Sequence, residues 1–165
     1  GVPVYLHPRE PRPDMIAPYL AYPGLPLALW GFPSDVSLHT IRLICSGLFD
    51  EYPDLTLVLG HLGEGIPIFL DRMDRKGLMP STDVYLRRRF SDYVRENIVV
   101  STSGMFTPRE LRYVVDALGA DRVMFATDYP FESMTEAVDF LRDAPLTAAE
   151  REAIASGNAQ RVFGI

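Results

Sequence analysis

The chain alternates short apolar segments with longer amphipathic ones, and this alternation restricts the folds that it can adopt. Each apolar segment is too short for a typical helix and is rich in β-branched or aromatic residues, which indicates strands. Strands joined by helical crossovers pair in parallel, so we expect a parallel sheet covered by helices, the α/β class. The predicted strands span residues 2–7, 55–61, 98–103 and 122–128.

Helices are predicted between and after these strands. Thr107, Pro108 and Glu110 are expected to supply an N-cap, a first-turn proline and a capping-box acid. Thr147 with Glu150 repeats the capping pattern before a C-terminal helical region. Apolar residues at helical spacing predict further helices over residues 37–51, 65–76 and 81–97.

Composition and charge narrow the class of protein. With 165 residues, 47% of them hydrophobic, and no run of about 20 apolar residues, we expect one globular domain over residues 1–165 and no membrane span. A net charge of −6 without a basic block argues against nucleic acid or an anionic membrane as partner. The lone Cys45 is expected to be a packed thiol, which fits a reducing cytoplasm. Because the chain opens in a strand pattern without an initiator methionine, we expect it to come from a longer protein.

Three predicted strands end in a side chain that can bind a metal or exchange a proton: His7, His61 and Asp128. The carboxyl ends of parallel strands share one rim, and in a (β/α)8 barrel that rim carries the active site. A single histidine at a strand end is more often a hydrogen-bonded structural residue, and Asp128 could instead cap the following helix. The joint pattern favours a functional site, whereas His39 is expected to be a solvated helix residue.

Imidazole and carboxylate groups together suit Zn²⁺ or another divalent ion such as Mn²⁺, but a metal site as a rule needs three protein ligands. The sequence contains neither H-x-H nor H-E-x-x-H. The site is therefore either completed by sequence outside this chain or does not bind metal. Glu64, three residues after His61, could accept a proton from the ring and fix its tautomer for acid or base catalysis. Its alternative role is that of an anion at a helix N-terminus.

Several separate motifs resemble one family. YLHPR, GLFDEYPDLTLVLGHLGEG, RRRFSDYVRENIVVSTSG and ATDYPFE, in this order, are similar to the C-terminal part of the amidohydrolase-related decarboxylases. The resemblance is closest to the γ-resorcylate and 2,3-dihydroxybenzoate decarboxylases, and it covers nearly the whole chain. It implies the C-terminal half of a (β/α)8 barrel, strands five to eight. It also implies a metal-dependent, nonoxidative decarboxylase in the catabolism of hydroxylated aromatic acids.

The resemblance further implies a role for individual residues. A divalent metal (Zn²⁺, Mn²⁺ or Mg²⁺) would be held by a pair of ligands on the first strand, by His7 and by Asp128. That pair is absent from this chain, so we expect an incomplete site and an inactive isolated chain. His61 with Glu64 would act as catalytic acid or base. By the same resemblance, the substrate-binding residues would be Phe32 and Phe131, which sandwich the aromatic ring, and Arg72, which binds the anionic part. Without it, the two phenylalanines would be expected in the core and Arg72 in solvent.

The chemistry explains why such residues are needed. Direct loss of CO₂ from a benzoate would leave an aryl anion with no electron sink. If a metal holds an ortho hydroxyl as phenolate, the ring can accept a proton at the carboxyl-bearing carbon before the carbon–carbon bond breaks. The proton would come from His61 with Glu64, or from Asp128. The alternatives are a metal-dependent hydrolase such as a lactonase, and a folded fragment without catalytic function. Half a barrel would expose strands 2–7 and 122–128 as open edges, so we expect a homo-oligomer.

Overall fold

The computed structural model describes residues 2–77 and 84–165 of the chain. Within these ranges, four strands form one parallel sheet in chain order, so the predicted α/β class is confirmed. Each strand is shorter than predicted, because the backbone leaves the ladder before the polar residues at the segment's end. The strands are β1 (Val4–Leu6), β2 (Leu57–Leu59), β3 (Ile98–Ser101) and β4 (Val123–Met124).

Helical segments connect and follow the strands, and none in the described ranges is long and apolar enough to cross a membrane. Short 3₁₀ or π-type turns lie at Ala17–Tyr19, Leu25–Leu29, Ala120–Arg122 and Ala153–Gly157. The α-helical segments are α1 (Gly31–Cys45), α2 (Leu48–Glu51), the single turn α3 (His61–Glu64), α4 (Ile66–Gly77), α5 (Phe90–Asn97), α6 (Pro108–Leu118), α7 (Met134–Asp143), α8 (Ala148–Glu152) and α9 (Asn158–Phe163).

Both faces of the sheet are covered at β2, β3 and β4, which explains why these segments read as nearly continuous apolar runs. In β1, Val4 and Tyr5 are 50% and 48% exposed. One face contributes Leu59 and Val100 to the main core, where the helices pack against it. The opposite face contributes Val58 and Val99 to a smaller cluster that Ala159 of α9 closes. Because the strands are parallel, their carboxyl ends lie at one rim of the sheet.

The helix predicted over residues 37–51 begins earlier in the structure than predicted, and it is interrupted before its predicted end. It starts at Gly31, before the predicted first residue, and ends at Cys45. Gly47, with φ of 78°, then reverses the chain before the short helix α2. As predicted, Cys45 packs against the core and His39 is exposed.

The helix predicted over residues 81–97 begins later in the structure than predicted. Residues 84–89 are not helical, residues 81–83 lie outside the described residues, and α5 starts only at Phe90. The backbone N–H groups of Arg87 and Arg88 donate to the hydroxyl of Tyr93, each at 3.1 Å, and so are not available to a helix.

The two predicted caps have different outcomes. Thr147 and Glu150 form the predicted capping box, in which each side chain accepts from the other residue's backbone N–H. Thr107 occupies the predicted N-cap position before Pro108, but its hydroxyl makes no capping bond. The backbone differs between them, since ψ is 116° at Thr107 and 162° at Thr147.

The hydrogen bonds of the Tyr93 hydroxyl are expected to stabilise the fold, and a single substitution can test this. Tyr93 is 0% exposed, and its hydroxyl donates to Asp50 at 2.6 Å while accepting two backbone bonds. We expect Tyr93→Phe to lower the free energy of unfolding by about 1–3 kcal/mol, because it removes the three hydrogen bonds of a hydroxyl on a fully buried residue. Urea unfolding measures this. The matched control is Tyr113→Phe, whose hydroxyl bonds Pro67 from a residue 46% exposed, and it should cost about 0.5 kcal/mol or less. Equal effects would contradict the prediction.

Candidate active site

The segment after β2 has an unusual backbone. From His61 to Gly65 all five residues have positive φ, including His61 at 48°, Leu62 at 52° and Glu64 at 55°. The turn α3 is therefore left-handed, a conformation that costs L-residues roughly 1–2 kcal/mol each. In the described part of the chain, the one other non-glycine residue with positive φ is Asp128, at 63°. Strain of this kind clusters at functional sites, and here it includes all three predicted catalytic residues.

The left-handed turn brings the side chains of His61 and Glu64 together. His61 Nδ1 lies 2.6 Å from Glu64 Oε1, with the Glu64 side chain 1% exposed and that of His61 27% exposed. The hydrogen bond to Glu64 raises the pKa of His61, burial opposes this, and the charges of Glu64 and Asp128 add to the increase. Because Nδ1 is engaged, Nε2 is the ring nitrogen that remains for a ligand. The predicted pairing of the two residues is thus present, in a turn of the opposite hand to an α-helix.

We expect Glu64→Gln to lower the pKa of His61 toward its ordinary value of 6.5, since the largest cause of the increase is removed. The pKa of His61 is higher in the folded protein than in the unfolded chain, so the charged ring stabilises the fold below about pH 6.5. This contribution to the free energy of unfolding is lost as the pH rises through the raised pKa. NMR titration of the imidazole measures the change, with the exposed Glu152→Gln as control. An unchanged His61 titration in Glu64→Gln would contradict the prediction.

The chain after β4 is held in place by the end of β3. The Thr102 hydroxyl donates to the Ala126 carbonyl at 2.8 Å and accepts from the Ala126 N–H at 3.0 Å. Two residues later, the Asp128 carbonyl accepts from the N–H groups of Phe131 at 2.8 Å and Glu132 at 3.2 Å. A clamp and a tight turn thus fix the Asp128 backbone from both sides.

The alternative role of Asp128 as a helix cap does not match the structure. The N-cap of α7 is Ser133, whose side chain accepts from the Glu136 N–H at 3.3 Å. Asp128 instead lies near enough to His61 for its charge to affect the pKa of the ring. The ends of β2 and β4 therefore bring two of the three predicted strand-end residues into one site.

Beside these residues is a cavity of about 580 Å³. His61, Glu64 and Asp128 line it together, and Phe32 contributes an aromatic wall. Small-molecule sites usually enclose about 300–1,000 Å³, so one aromatic ring with its substituents fits. Further apolar lining comes from Trp30, Ile41, Ile66, Phe69, Met73 and Met105.

Most of the lining residues were not predicted as site residues from the sequence, and three of them lie in recognisable motifs of the sequence. Glu132 lies four residues after Asp128 in the ATDYPFE motif, where a second carboxylate could have suggested a role. Trp30 precedes Phe32 in LWGF and so carries a local signal of the same kind. Gly104 ends the motif RRRFSDYVRENIVVSTSG, and only the structure shows why a glycine stands there.

The other predicted site residues do not line this cavity. His7 follows β1 at the same rim, but its side chain is exposed and its Nδ1 lies 2.8 Å from the carbonyl of Pro8. Phe131 is 84% exposed, and Arg72 is exposed on α4. Their assigned roles remain predictions.

The residues present fit a divalent metal in chemical kind but not in number. The cavity lining in the described ranges carries Glu64, Asp128 and Glu132 and neither lysine nor arginine, which suits a cation. Among the described residues, however, no group of three or more His, Cys, Asp or Glu side chains is arranged to hold a metal. A complete site therefore requires ligands beyond this arrangement.

Comparison with known proteins places the chain in a family. An amidohydrolase family profile matches residues 1–165. The chain belongs to the amidohydrolase family. This amidohydrolase is 40% identical over 164 residues to the γ-resorcylate decarboxylase of Polaromonas sp. strain JS666, covering 98% of the chain and 50% of that protein.

Solved structures of related proteins have the same fold as this chain. The 5-carboxyvanillate decarboxylase of Sphingomonas paucimobilis superposes with a TM-score of 0.93 at 40% identity, over 98% of the chain and 49% of that structure. A dihydroxybenzoic acid decarboxylase of Polaromonas sp. JS666, with bound manganese and the inhibitor 2-nitroresorcinol, gives 0.92 at 38% identity, over 99% and 50%. The chain thus spans about half the length of its relatives. The predicted fold, the C-terminal half of a barrel of this type, is confirmed.

Proposed function

We propose that this amidohydrolase is the C-terminal half of a metal-dependent decarboxylase, a carboxy-lyase, that acts on a hydroxylated aromatic acid such as a dihydroxybenzoate. The observation that carries the proposal is the joint placement of the His61–Glu64 pair and Asp128 in one cavity with aromatic walls. The decarboxylases that the chain resembles, at 38–40% identity in the three comparisons above, support the same reaction class.

The ring of His61 is positioned to deliver the proton that the reaction needs. Its Nδ1 is held by Glu64, which leaves Nε2 for the substrate, and the raised pKa of His61 favours the charged, proton-donating form. The proton forms a bond to the ring carbon that bears the carboxylate. The carbon–carbon bond then breaks, CO₂ leaves, and the electron pair of that bond restores the aromatic ring.

We propose that Mn²⁺ is the metal, because a related decarboxylase binds manganese, with Zn²⁺ and Mg²⁺ as alternatives. A bound divalent ion would supply positive charge that stabilises an ionised ring hydroxyl. Asp128 would contribute a carboxylate ligand from inside the cavity, and His7 would contribute an imidazole from the same rim. The remaining ligands would come from the half of the barrel that this chain does not contain.

The substrate would be held by aromatic and cationic side chains. Phe32 lines the cavity and would pack against one face of the ring. Phe131 would cover the other face, and Arg72 would bind the anionic part of the substrate. These last two roles rest on the resemblance, since both side chains are exposed outside the cavity.

The test compares products from matched substrates. The complete enzyme containing this segment, loaded with Mn²⁺, should release CO₂ from 2,6-dihydroxybenzoate, and its dimethyl ether should not react because it cannot ionise an ortho hydroxyl. A lactonase would instead produce a ring-opened acid from a lactone. Hydrolysis without CO₂ release would support that alternative, and bound metal without any turnover would favour a binding role.

We propose that the chain self-associates as a homo-oligomer through its open sheet edges. In the described residues, β1 pairs only with β2 and β4 only with β3, and Val2 and Tyr5 beside the first edge are exposed. Light scattering on the purified chain should show a mass that increases with concentration. A compact monomer at high concentration would contradict this prediction.

We further propose a cytoplasmic location, because the single half-buried thiol of Cys45 needs no oxidising compartment. Cell fractionation with an antibody to the protein tests this. Recovery in a secreted fraction would contradict it.

A further inference from the structure

The two catalytic side chains come from strands that are not neighbours. His61 follows β2 and Asp128 follows β4, and β3 lies between them in the sheet. Adjacent strands are about 4.8 Å apart, so the two strands are separated by roughly 10 Å. The loop that follows β3 therefore decides what fills the space between the two side chains.

Gly104 lies in this loop, three residues after Ser101, and a side chain on it would point directly between His61 and Asp128. A Cβ built on Gly104 would lie 3.4 Å from Asp128 Oδ2 and 3.4 Å from His61 Cδ2. Gly104 also lines the cavity with both residues. The space above this glycine is thus part of the cavity, and a single methyl group would occupy it.

We propose that Gly104 is a positioning residue: its missing side chain leaves room for the reacting ring carbon and its carboxylate between His61 and Asp128. The inference rests on the proposed function, because protonation requires the ring carbon to approach His61 while the neighbouring hydroxyl lies near Asp128. A methyl group at position 104 would hold the substrate away from this position. A displacement of about 1 Å can lower the rate by about 100-fold.

Backbone strain is a second reason for a glycine at this position, and the two reasons can be separated. Gly104 has φ of 64°, a region that asparagine tolerates better than alanine. If backbone strain alone lowers the activity, Gly104→Asn should lose less activity than Gly104→Ala. If the filled space lowers the activity, Gly104→Asn should lose more, because its side chain is larger. Gly47 is a matched control, since its φ is 78° and a Cβ there would meet nothing within 4 Å.

In the complete enzyme, we expect Gly104→Ala to lower kcat/KM by at least about tenfold and Gly104→Asn to lower it further. Gly47→Ala should keep kcat/KM within about twofold while losing comparable thermal stability. A Gly104→Asn enzyme more active than Gly104→Ala, or similar losses in all three variants, would overturn the proposal.

Binding gives a readout that does not depend on turnover. The Gly104 variants should bind 2-nitrophenol, whose nitro group mimics a carboxylate, at least about tenfold more weakly than wild type, and phenol within about threefold. Equal losses for both phenols would overturn the role of Gly104. Absence of CO₂ release from the wild-type enzyme would instead reject the proposed function, whatever the variants bind.

Discussion

Replacing His61 by asparagine in the complete enzyme should lower kcat for CO₂ release by about 10²–10⁴-fold, the usual contribution of a positioned general acid. Asparagine is close to histidine in polarity and tolerates the left-handed backbone at this position, where φ is 48°. It cannot exchange a proton near neutral pH. The loss should therefore fall on kcat while the fold is retained, which circular dichroism and thermal unfolding would show.

The matched control for this variant is His39→Asn. His39 is exposed on α1 and does not line the cavity, so its replacement should leave kcat within about twofold of wild type. Turnover of the His61 variant near the wild-type rate would remove His61 from the reaction. Proton delivery would then have to come from another group, with Asp128 as the remaining candidate.

Asp128→Asn should lower kcat by about 10³-fold or more, since it removes a charge from a site where electrostatic stabilisation is usually the largest contribution. The change conserves side-chain shape, and asparagine accepts the φ of 63° at this position. We also expect weaker metal retention, because a neutral amide is a poorer ligand than a carboxylate. Steady-state kinetics and metal analysis of the purified variant measure the two effects together.

The control for Asp128→Asn is Asp54→Asn, which removes the same charge from an exposed position. It should retain both activity and metal. Full metal content in the Asp128 variant with reduced kcat would reject the role as a ligand and leave the role in the reaction. Wild-type kcat would reject the role in the reaction, and wild-type kcat with full metal content would reject both roles.

Strands β2, β3 and β4 could be predicted from the sequence because both of their faces are buried. Residues such as Val58 and Val99 pack on one face and Leu59 and Val100 on the other, so the segments contain few polar interruptions. The ends of these segments also indicated His61 and Asp128 correctly as neighbours in one site. A single rim for all parallel strands made that inference possible without coordinates.

Local patterns could not predict the left-handed turn after β2. Gly63 and Gly65 suggest a tight turn, but His61, Leu62 and Glu64 have no intrinsic preference for positive φ. Tertiary packing imposes the conformation, as the burial of Leu62 and Glu64 in the core region shows. The start of α5 was missed for a related reason: the hydroxyl of Tyr93 binds the backbone of the preceding loop, and Asp50 of α2 holds that hydroxyl in place.

His7, Phe131 and Arg72 are exposed and lie outside the cavity. Their roles rest on the resemblance to relatives of which this chain spans about half the length. His61 and Glu64, by contrast, contact each other within this chain, so their hydrogen bond is present in the structure.

The most direct measurement follows the carboxyl carbon of 2,6-dihydroxybenzoate through the complete Mn²⁺-loaded enzyme in D₂O. With ¹³C in the carboxyl group, we predict ¹³CO₂ and a resorcinol that carries one deuterium at the vacated ring carbon, with both signals at least about 100-fold lower in His61→Asn over the same reaction time. Retention of ¹³C in an organic product, or an unchanged yield of deuterated resorcinol from the variant, would contradict a decarboxylase that uses His61.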